Sequence, residues 1–452
     1  MQAIPGHFID PSHIFHPEHG GIFELSPEAL ELYQQAIDGQ VVEGEAVKEL
    51  LAADLLRAGE APGFPPAHKG LTLRSLVVNL TQNCNLACVY CYADVLPTAK
   101  KKRQMEPETA RASIDFLIRQ SGSVRTLNLT FFGGEPLLNF PLLKDAVLYA
   151  EQEAAKAGKK IRYSLTTNAT LVTEEMAKFL HEYRIGVSIS LDGPPEVQDG
   201  QRPFVNGRGS SNRVLKGVDT LLTHVRSRPV GARVTLTRQS GSVVPIFDYL
   251  HELGFFEVGL APVTDPRAEL HLGDEEMERL LDDFRILSER TVQEARAGRY
   301  LGFSNLTNML SSIHAGRKRV YPCGAGLGLF GVDYTGKISL CHRFQGNEDF
   351  MLGDVWQGLD AEAVHRLRRE VHPVNKLGCH TCWIRTLCRG GCYHEALERH
   401  GDHRKPNLHT CDWLRAWVKL VLEVYLTLAR EAPGFLDRLS GSRARMTEGV
   451  VV

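Results

Sequence analysis

The chain has 452 residues, which is too long for one compact domain and predicts two or three. Its 52 basic and 54 acidic side chains give a net charge of -2, which excludes the basic surface typical of proteins that bind nucleic acids or anionic membranes. The N-terminus lacks a basic start with an apolar run, and no apolar stretch approaches the roughly 20 residues of a membrane helix, so we expect a cytoplasmic protein with no nucleic-acid or membrane partner.

Residues 1–57 predict a small N-terminal module. Short extended segments at 6–10, 13–16 and 21–25 precede a helix that begins after Ser26, a good capping residue, and a second helix is expected over 45–57. Short strands followed by two helices are typical of a winged-helix-like fold. Residues 58–72 are rich in Pro and Gly and predict a linker.

Residues 73–305 alternate between strand-like and helix-like segments. The apolar runs lie at 74–80, 126–132, 161–166, 185–191, 231–237 and 256–262. The helical patterns lie at 106–119, 141–157, 173–183, 212–225, 244–252 and 274–297. Six β/α units in series predict a parallel sheet covered by helices, either open or a partial barrel, with ligands bound at the C-terminal strand ends.

The cysteines fall into two groups separated by a long stretch without any. Three lie between 84 and 91, and the other seven lie between 323 and 411. In a reducing compartment, clustered cysteines are more often metal ligands than disulfides. We therefore predict a cysteine-rich domain over 306–430 that ends in a helix at 412–430, followed by a flexible tail at 431–452.

The first group, Cys84, Cys88 and Cys91, directly follows the first strand of the β/α region. Three thiolates on one loop can bind an iron–sulfur cluster, zinc or copper(I). Three ligands leave one iron of a [4Fe–4S] cube open to bind a substrate or cofactor. The alternatives are a zinc site that lacks its fourth ligand, or buried structural cysteines.

This CxxxCxxC spacing, with Tyr90 before the last cysteine, resembles the radical S-adenosylmethionine (SAM) superfamily. The resemblance implies a partial (β/α)6 TIM-type barrel in which the open iron binds SAM and reduction releases a 5′-deoxyadenosyl radical. It also implies a set of SAM-binding residues at the strand ends: Gly133, Gly134, Glu135, Thr167, Asn168, Ser190, Asp192 and Arg202. Glu135 would accept the SAM amino group, Ser190 would contact the ribose, and Arg202 would lie near the carboxylate unless it is a solvated loop arginine. Ala169 stands where relatives more usually carry Gly.

The seven later cysteines resemble the SPASM extension of radical SAM enzymes, which carries two auxiliary iron–sulfur clusters. By that resemblance one cluster is bound by Cys379, Cys382, Cys388 and Cys411, and the other by Cys323, Cys341 and Cys392. An eighth cysteine, found in relatives upstream of Cys323, is missing. The second cluster then has an open iron, a non-cysteine ligand such as His314, or fewer irons.

His342 follows Cys341 at a position where sulfatase-maturing relatives have a proton-accepting Asp. A histidine can act as a base near neutral pH, so His342 is the candidate catalytic base. The alternative is a buried structural histidine.

The SPASM resemblance implies a peptide or small-subunit protein substrate, and the N-terminal module resembles elements that bind a leader peptide along a sheet edge. Over its length the chain is similar to the maturases of quinohemoprotein amine dehydrogenase, which form thioether cross-links between cysteine and acidic residues. A flavodoxin- or ferredoxin-type reductant is implied. The alternatives are other peptide chemistry (a thioether to an α-carbon, a C–C cross-link or formylglycine) and a non-catalytic zinc-stabilised peptide-binding protein.

Overall fold

A ten-stranded mixed sheet forms the centre of the protein. The computed structural model describes residues 2–57, 71–93, 96–97, 103–316 and 320–440. Most of the predicted linker, 58–70, and the end of the predicted tail, 441–452, lie outside the described residues. In the described ranges, no helix combines the length and apolar character needed to cross a bilayer.

The strands, in chain order, are β1 (Gln2–Ala3), β2 (His7–Phe8), β3 (His13–His16), β4 (Gly21–Glu24), β5 (Leu56–Arg57), β6 (Ser75–Asn79), β7 (Asn83–Cys84), β8 (Leu96–Pro97), β9 (Thr126–Phe132), β10 (Lys160–Thr167), β11 (Gly186–Ser190), β12 (Val230–Leu236), β13 (Glu257–Pro262), β14 (Leu329–Val332), β15 (Lys337–Ser339), β16 (Met351–Asp354) and β17 (Gly358–Leu359).

The α-helices are α1 (Pro27–Ile37), α2 (Val47–Ala52), α3 (Pro107–Arg119), α4 (Phe140–Lys156), α5 (Glu174–Glu182), α6 (Pro195–Gln201), α7 (Ser211–His224), α8 (Val243–Glu252), α9 (Asp274–Arg296), α10 (Ser304–His314), α11 (Ala361–Glu370), α12 (Arg385–Cys388), α13 (Tyr393–His400), α14 (Leu408–Glu431) and α15 (Pro433–Ser440).

The central sheet has the order β13-β12-β11-β10-β9-β6-β14-β15-β16-β17. The strands from β13 to β14 are parallel, and the last three are antiparallel to their neighbours. All six predicted β/α strands are present and are adjacent in chain order, which is the order of an incomplete (β/α) barrel. Their C-terminal ends therefore meet at one edge, where the predicted motifs lie.

The cysteine-rich segment shares this sheet with the β/α region. Its first strand, β14, pairs in parallel with β6, the first strand of the β/α series. The predicted boundary at 305 therefore divides the chain but not the sheet. The boundary was placed there because the four-residue strand β14 is too short to give a periodic signal.

The N-terminal module has its own apolar core. Strands β2, β3 and β4 form an antiparallel sheet, and β1 pairs with β5. The Ser26 hydroxyl accepts a hydrogen bond from the Ala29 amide at 3.2 Å, as expected of a capping residue. The second helix is shorter than predicted: α2 ends at Ala52, and Asp54, with φ of 55°, turns the chain into β5.

The predicted tail contains one more helix. In α15, three apolar residues that follow a helical spacing, Phe435, Leu436 and Leu439, are buried, and the helix packs against α10 and α14. The prediction that the chain is loose from 431 onward is therefore wrong for Pro433–Ser440. Helix α15 is short and starts at a proline directly after α14. The polar composition of this segment therefore predicted a loose tail, although one face of the helix is apolar.

Candidate active site and cysteine clusters

A cavity of about 1010 Å³, including its solvent-open part, lies at the C-terminal ends of the parallel strands. It brings together nearly all of the residues predicted for the first cluster and for SAM binding. Those that line it are Cys84, Cys88, Cys91, Gly133, Gly134, Glu135, Thr167, Asn168, Ser190 and Arg202. Asp192 and His342 are not among the lining residues.

The three cysteines of the first group follow β6: Cys84 ends the short strand β7, and Cys88 and Cys91 lie on the loop after it. Cys84 is buried, whereas Cys91 is exposed, and the Cys91 amide donates to the Cys88 carbonyl oxygen at 3.1 Å. Burial raises the pKa of Cys84 to about 12, with smaller increases from Glu135 and the other two thiolates. A buried thiol with such a pKa ionises readily only when a metal centre takes up its charge.

The two glycines of the Gly-Gly-Glu-Pro turn are required by backbone packing. A β-carbon on Gly133 would lie 2.2 Å from the Thr81 carbonyl oxygen, and one on Gly134 would lie 2.2 Å from the Asn83 carbonyl oxygen. The Gly134 and Glu135 amides donate to these same oxygens at 2.8 and 2.9 Å. The glycines thus hold the turn against the segment that leads into Cys84, in addition to lining the cavity.

Glu135 is fully buried and already accepts three hydrogen bonds. One carboxylate oxygen accepts from the Thr167 hydroxyl at 2.7 Å and the Leu137 amide at 3.1 Å, and the other accepts from the Asn168 amide at 2.7 Å. Burial raises the pKa of Glu135 to about 7 despite these donors. The second oxygen retains an acceptor site, which a cationic ammonium would satisfy while also favouring the ionised carboxylate.

The Thr-Asn-Ala-Thr turn after β10 contacts the cysteine loop. The Asn168 side-chain amide donates to the Asn85 side-chain oxygen at 2.9 Å, and the Asn85 amide donates to the Thr170 hydroxyl at 2.7 Å. Ala169 is fully buried with φ of 60°, in the left-handed region that favours glycine. This conformation explains why an alanine at this position is a departure from the usual glycine.

Asp192 and Arg202 form a buried ion pair behind the cavity wall. The Asp192 carboxylate accepts from Arg202 Nε at 2.9 Å, from Arg202 Nη2 at 3.1 Å and from the Thr235 amide at 2.9 Å, and the Tyr90 hydroxyl also donates to it. Arg202 Nη1 donates to Cys88 Sγ at 3.8 Å. Arg202 is therefore not a solvated loop arginine. Asp192 is fully buried and orients Arg202 and Tyr90, so its predicted role in SAM binding stays a prediction.

His342 lies beside the cavity and does not line it. Its ring centre is 4.7 Å from that of Phe132, and its Nδ1 is buried without a hydrogen-bond partner among the described residues. Burial lowers the pKa of His342 to about 4, with Arg343 and His394 adding to the effect. His342 is therefore neutral at pH 7 and is able to accept a proton only weakly, so its role as the base remains a prediction.

Arg343 is a cavity residue to which the sequence analysis assigned no role. Its Nη1 donates to the Thr264 hydroxyl at 3.3 Å, and its guanidinium carbon lies 4.6 Å from the centre of the Tyr92 ring. The only signal for it in the sequence was its position directly after His342.

Two of the later cysteines, Cys341 and Cys388, have thiolate neighbours that belong to the predicted sets. After burial, the Cys392 and Cys323 thiolates are the main cause of the raised pKa of Cys341, which reaches about 11. Burial also raises the pKa of Cys388 to about 11, assisted by the second set of thiolates, Cys379, Cys382 and Cys411. The division into two clusters and the assignment of their ligands remain predictions.

His314 is a poor candidate for a cluster ligand. Its Nδ1 is 3.1 Å from the Tyr425 hydroxyl, and its Nε2 is 3.1 Å from an Asp437 carboxylate oxygen. Both ring nitrogens are thus engaged with α14 and α15. This argues against His314 as the missing fourth ligand of the Cys323 set.

A buried lysine lies between the two later sets. Lys376 is 1% exposed, and its Nζ donates to the Gly390 carbonyl oxygen at 2.9 Å and lies 5.1 Å from the Tyr393 ring centre. Burial lowers the pKa of Lys376, and thiolates of both sets, Cys379, Cys388 and Cys392, oppose that lowering.

The sulfur atoms of the described cysteines do not show the spacing expected around a single zinc ion. Four thiolates on one tetrahedral zinc lie about 3.8 Å apart, because each Zn–S bond is about 2.3 Å long. Among the described residues, which include all ten cysteines, no three sulfur atoms lie within 4.8 Å of one another. The one group with single-ion spacing is His16, His19 and Asp54 in the N-terminal module, and its atoms are hydrogen-bonded to one another and to backbone groups.

Comparison with known proteins agrees with this site. The model of the radical SAM superfamily matches residues 78–236. An uncharacterised protein of Methanocaldococcus jannaschii is 33% identical over 201 residues, which are 44% of this chain and 66% of that protein. The serine-type anaerobic sulfatase-maturating enzyme of Klebsiella aerogenes is 26% identical over 336 residues, with coverage of 68% of this chain and 76% of the enzyme.

Two further similarities extend over most of the chain. The radical SAM cyclopropyl synthase of Paramaledivibacter caminithermalis is 22% identical over 370 residues, which cover 78% of this chain and 75% of that enzyme. The solved structure of anSMEcpe with bound AdoMet has a TM-score of 0.69 at 20% identity and covers 83% of this chain and 98% of that one. At this identity the structural similarity shows a shared fold.

Proposed function

Because the chain is an enzyme of the radical SAM superfamily, we propose that it modifies a ribosomally made peptide or a small protein subunit. The observation that carries the proposal is the cavity in which Cys84, Cys88 and Cys91 face Glu135 and Asn168 at the strand ends. The sulfatase-maturating and cyclopropyl-synthase relatives, which match over about two thirds or more of the chain, support a peptide or protein substrate.

In this proposal the three cysteines hold a [4Fe–4S] cluster, and Glu135 receives the amino group of SAM through its remaining acceptor site. When bound, SAM and the cluster would supply a 5′-deoxyadenosyl radical able to take a hydrogen atom from the substrate. Arg202 donates to Cys88 and stabilises its thiolate charge. The buried wall of Tyr90, Leu86 and Val263 excludes water from the reacting atoms.

We further propose a thioether bond between a substrate cysteine and the carbon chain of an acidic residue. The reaction would break an S–H and a C–H bond and form a C–S bond, which removes two protons and two electrons from the peptide. A base of the protein would take one proton. SAM would supply the acceptor of a hydrogen atom, and an auxiliary cluster held by the later cysteines would accept the remaining electron. His342 is the candidate base because it is neutral at pH 7 and its Nδ1 is free within the described residues. A flavodoxin or ferredoxin would supply the reducing electron.

The N-terminal module is proposed to bind the leader of the substrate. Strand β4 pairs with β3 on one side, and in the described part of the chain no strand covers its other side. The opposite strand, β2, faces the cysteine-rich segment, where the His7 ring stacks 3.6 Å from that of Trp383. An extended leader can therefore add to the sheet at β4 through main-chain hydrogen bonds.

Formylglycine formation is a second candidate. The sulfatase-maturating relatives favour it, since two of them align with 68% of this chain. His342 stands at the position where those relatives carry a proton-accepting Asp, and this difference in the side chain disfavours formylglycine formation.

The decisive experiment is anaerobic reconstitution with iron and sulfide, followed by iron counting and a SAM-cleavage assay with dithionite. We expect about three clusters per chain and formation of 5′-deoxyadenosine. Small cysteine-rich precursors are then added, and each thioether appears as the loss of two hydrogen atoms in the mass of the peptide. A Cys88→Ala variant is the control, since it should lose SAM cleavage while the later cysteines still bind iron.

Zinc instead of iron, with no SAM cleavage, would refute the proposal and support a peptide-binding protein. SAM cleavage with every precursor unmodified would refute peptide maturation alone.

A further inference from the structure

The cavity contains a cation that the SAM-binding residues do not account for. Arg343 belongs to the cysteine-rich segment, and it lies on the same wall as Thr264, which follows β13. Its hydrogen bond to the Thr264 hydroxyl and its position over the Tyr92 ring fix the guanidinium at the cavity surface.

The charged side chains that line the cavity differ in whether a protein group compensates their charge. The lining includes three charged side chains besides the cysteines: Glu135, Arg202 and Arg343. Arg202 is neutralised by the bidentate carboxylate of Asp192, and Glu135 is held by donors from the protein. Arg343 forms no ion pair with any carboxylate in the described ranges of the chain.

The donors of Arg343 are also incompletely used. A guanidinium has five N–H donors in a planar fork, and the hydrogen bond to Thr264 uses one of them. Arginine binds carboxylates through two parallel hydrogen bonds, which are stronger than bonds between neutral groups. A half-buried arginine at a cavity wall with free donors is therefore suited to an anionic ligand group.

Two explanations within the protein are insufficient. Stacking on Tyr92 orients the guanidinium but leaves its in-plane donors available. The positive charge of Arg343 could offset the charge of a Cys341 thiolate, two residues earlier, but that role would not require the Arg343 side chain to reach the cavity. Neither explains why the cation lines the same space as Cys91 and Asn168.

We propose that Arg343 is a specificity-determining residue that binds a side-chain carboxylate of the substrate, with Thr264 and Tyr92 as the residues that position it. This rests on the proposed function, in that the substrate is a peptide. The acidic residue would be held at the wall of the cavity in which the substrate hydrogen is removed, so the enzyme would select aspartate or glutamate over their amides.

The test measures binding and requires no turnover. Two synthetic pentapeptides that differ only in a central aspartate or asparagine are titrated into the reconstituted, SAM-loaded enzyme under anaerobic conditions by calorimetry. We expect the aspartate peptide to bind about tenfold or more tightly than the asparagine peptide, because a charged hydrogen-bond partner is lost in the amide. Arg343→Gln should abolish this preference, and Arg343→Lys should restore part of it.

The control is Arg290→Gln, which removes a half-exposed arginine on α9 that is ion-paired with Asp248. It should leave the peptide preference unchanged. Iron content and SAM affinity are measured on every sample.

Equal binding of the two peptides to the wild-type enzyme, or a preference that persists in Arg343→Gln, would overturn the proposal. A loss of SAM affinity in Arg343→Gln would also overturn it and assign the residue to the cofactor. A different result would refute the proposed function alone: the enzyme would still prefer the aspartate peptide but would leave every cysteine-rich precursor unmodified.

Discussion

The buried ion pair between Asp192 and Arg202 gives a quantitative test of the site. We consider Asp192→Asn, which keeps the shape of the side chain and removes its charge. In the native protein the carboxylate accepts two hydrogen bonds from Arg202 and one from the Thr235 amide, and Asp192 is fully buried. The asparagine amide would place a donor against the donors of Arg202.

The expected loss of stability is about 3–5 kcal/mol, because removing one partner leaves a buried arginine without a compensating charge. That is a large part of the 5–15 kcal/mol by which a domain is typically stable. A matched surface change is Asp248→Asn, which breaks a pair of half-exposed side chains whose nitrogen and oxygen are 2.7 Å apart. That variant should lose less than about 1 kcal/mol.

The assay is guanidinium unfolding of both variants in the metal-free state, with iron content measured after reconstitution. Asp192→Asn should also bind less iron, since Arg202 would no longer be held against Cys88. The double variant Asp192→Asn with Arg202→Gln should recover stability, because the uncompensated charge is gone. A loss in Asp192→Asn as small as in Asp248→Asn would refute this account of the ion pair.

Three further outcomes follow from the site. Gly134→Ala should cost about 1–3 kcal/mol in unfolding free energy because its β-carbon would meet the Asn83 oxygen at 2.2 Å, whereas Gly200→Ala, with open space around it, should be neutral or slightly stabilising. The pKa of Glu135 is raised from 4.5 to about 7, so the folded protein binds the carboxyl proton more tightly than the unfolded chain does. This carboxyl group should therefore lower the unfolding free energy of the wild type by about 3 kcal/mol as the pH rises from 4.5 to 7. Unfolding curves of Glu135→Gln, measured across that range, should lack this contribution, and a parallel pH dependence would contradict the assignment. His314→Gln should leave the iron content at the wild-type level, and a loss of one cluster would restore His314 as a ligand.

The β/α region could be predicted from the sequence because its signals are local. Period-two and helical patterns placed β9 and α3 within a residue of their observed ends, and each glycine or polar turn fell at a strand end. Helix α10 was missed because its polar serines and asparagines obscure a face that is buried against α15. Its burial depends on a partner more than a hundred residues later, which no local pattern contains.

The chemistry of the cavity was predicted less completely than its residues. The motifs predict which residues lie at the strand ends. Which of these side chains form ion pairs or hydrogen bonds with each other depends on distances between loops that are far apart in the chain. Asp192 was therefore expected to face SAM, although it pairs with Arg202. For the same reason no role was predicted for Arg343, since its contact with Tyr92 joins segments about 250 residues apart.

The buried cations near the cysteines suit anionic clusters, although Asp192 already pairs with Arg202. Arg202 and Lys376 are almost fully buried, which is costly for a charged side chain unless opposite charge is nearby. Arg202 donates to Cys88, and Lys376 lies among thiolates of both later sets. The described hydrogen bond of Lys376 goes to a backbone oxygen, and the Asp402 carboxylate adds opposite charge near it, as thiolates of both later sets would. Metal-bound thiolates would supply that charge at both sets, so one lysine would stabilise two clusters at once.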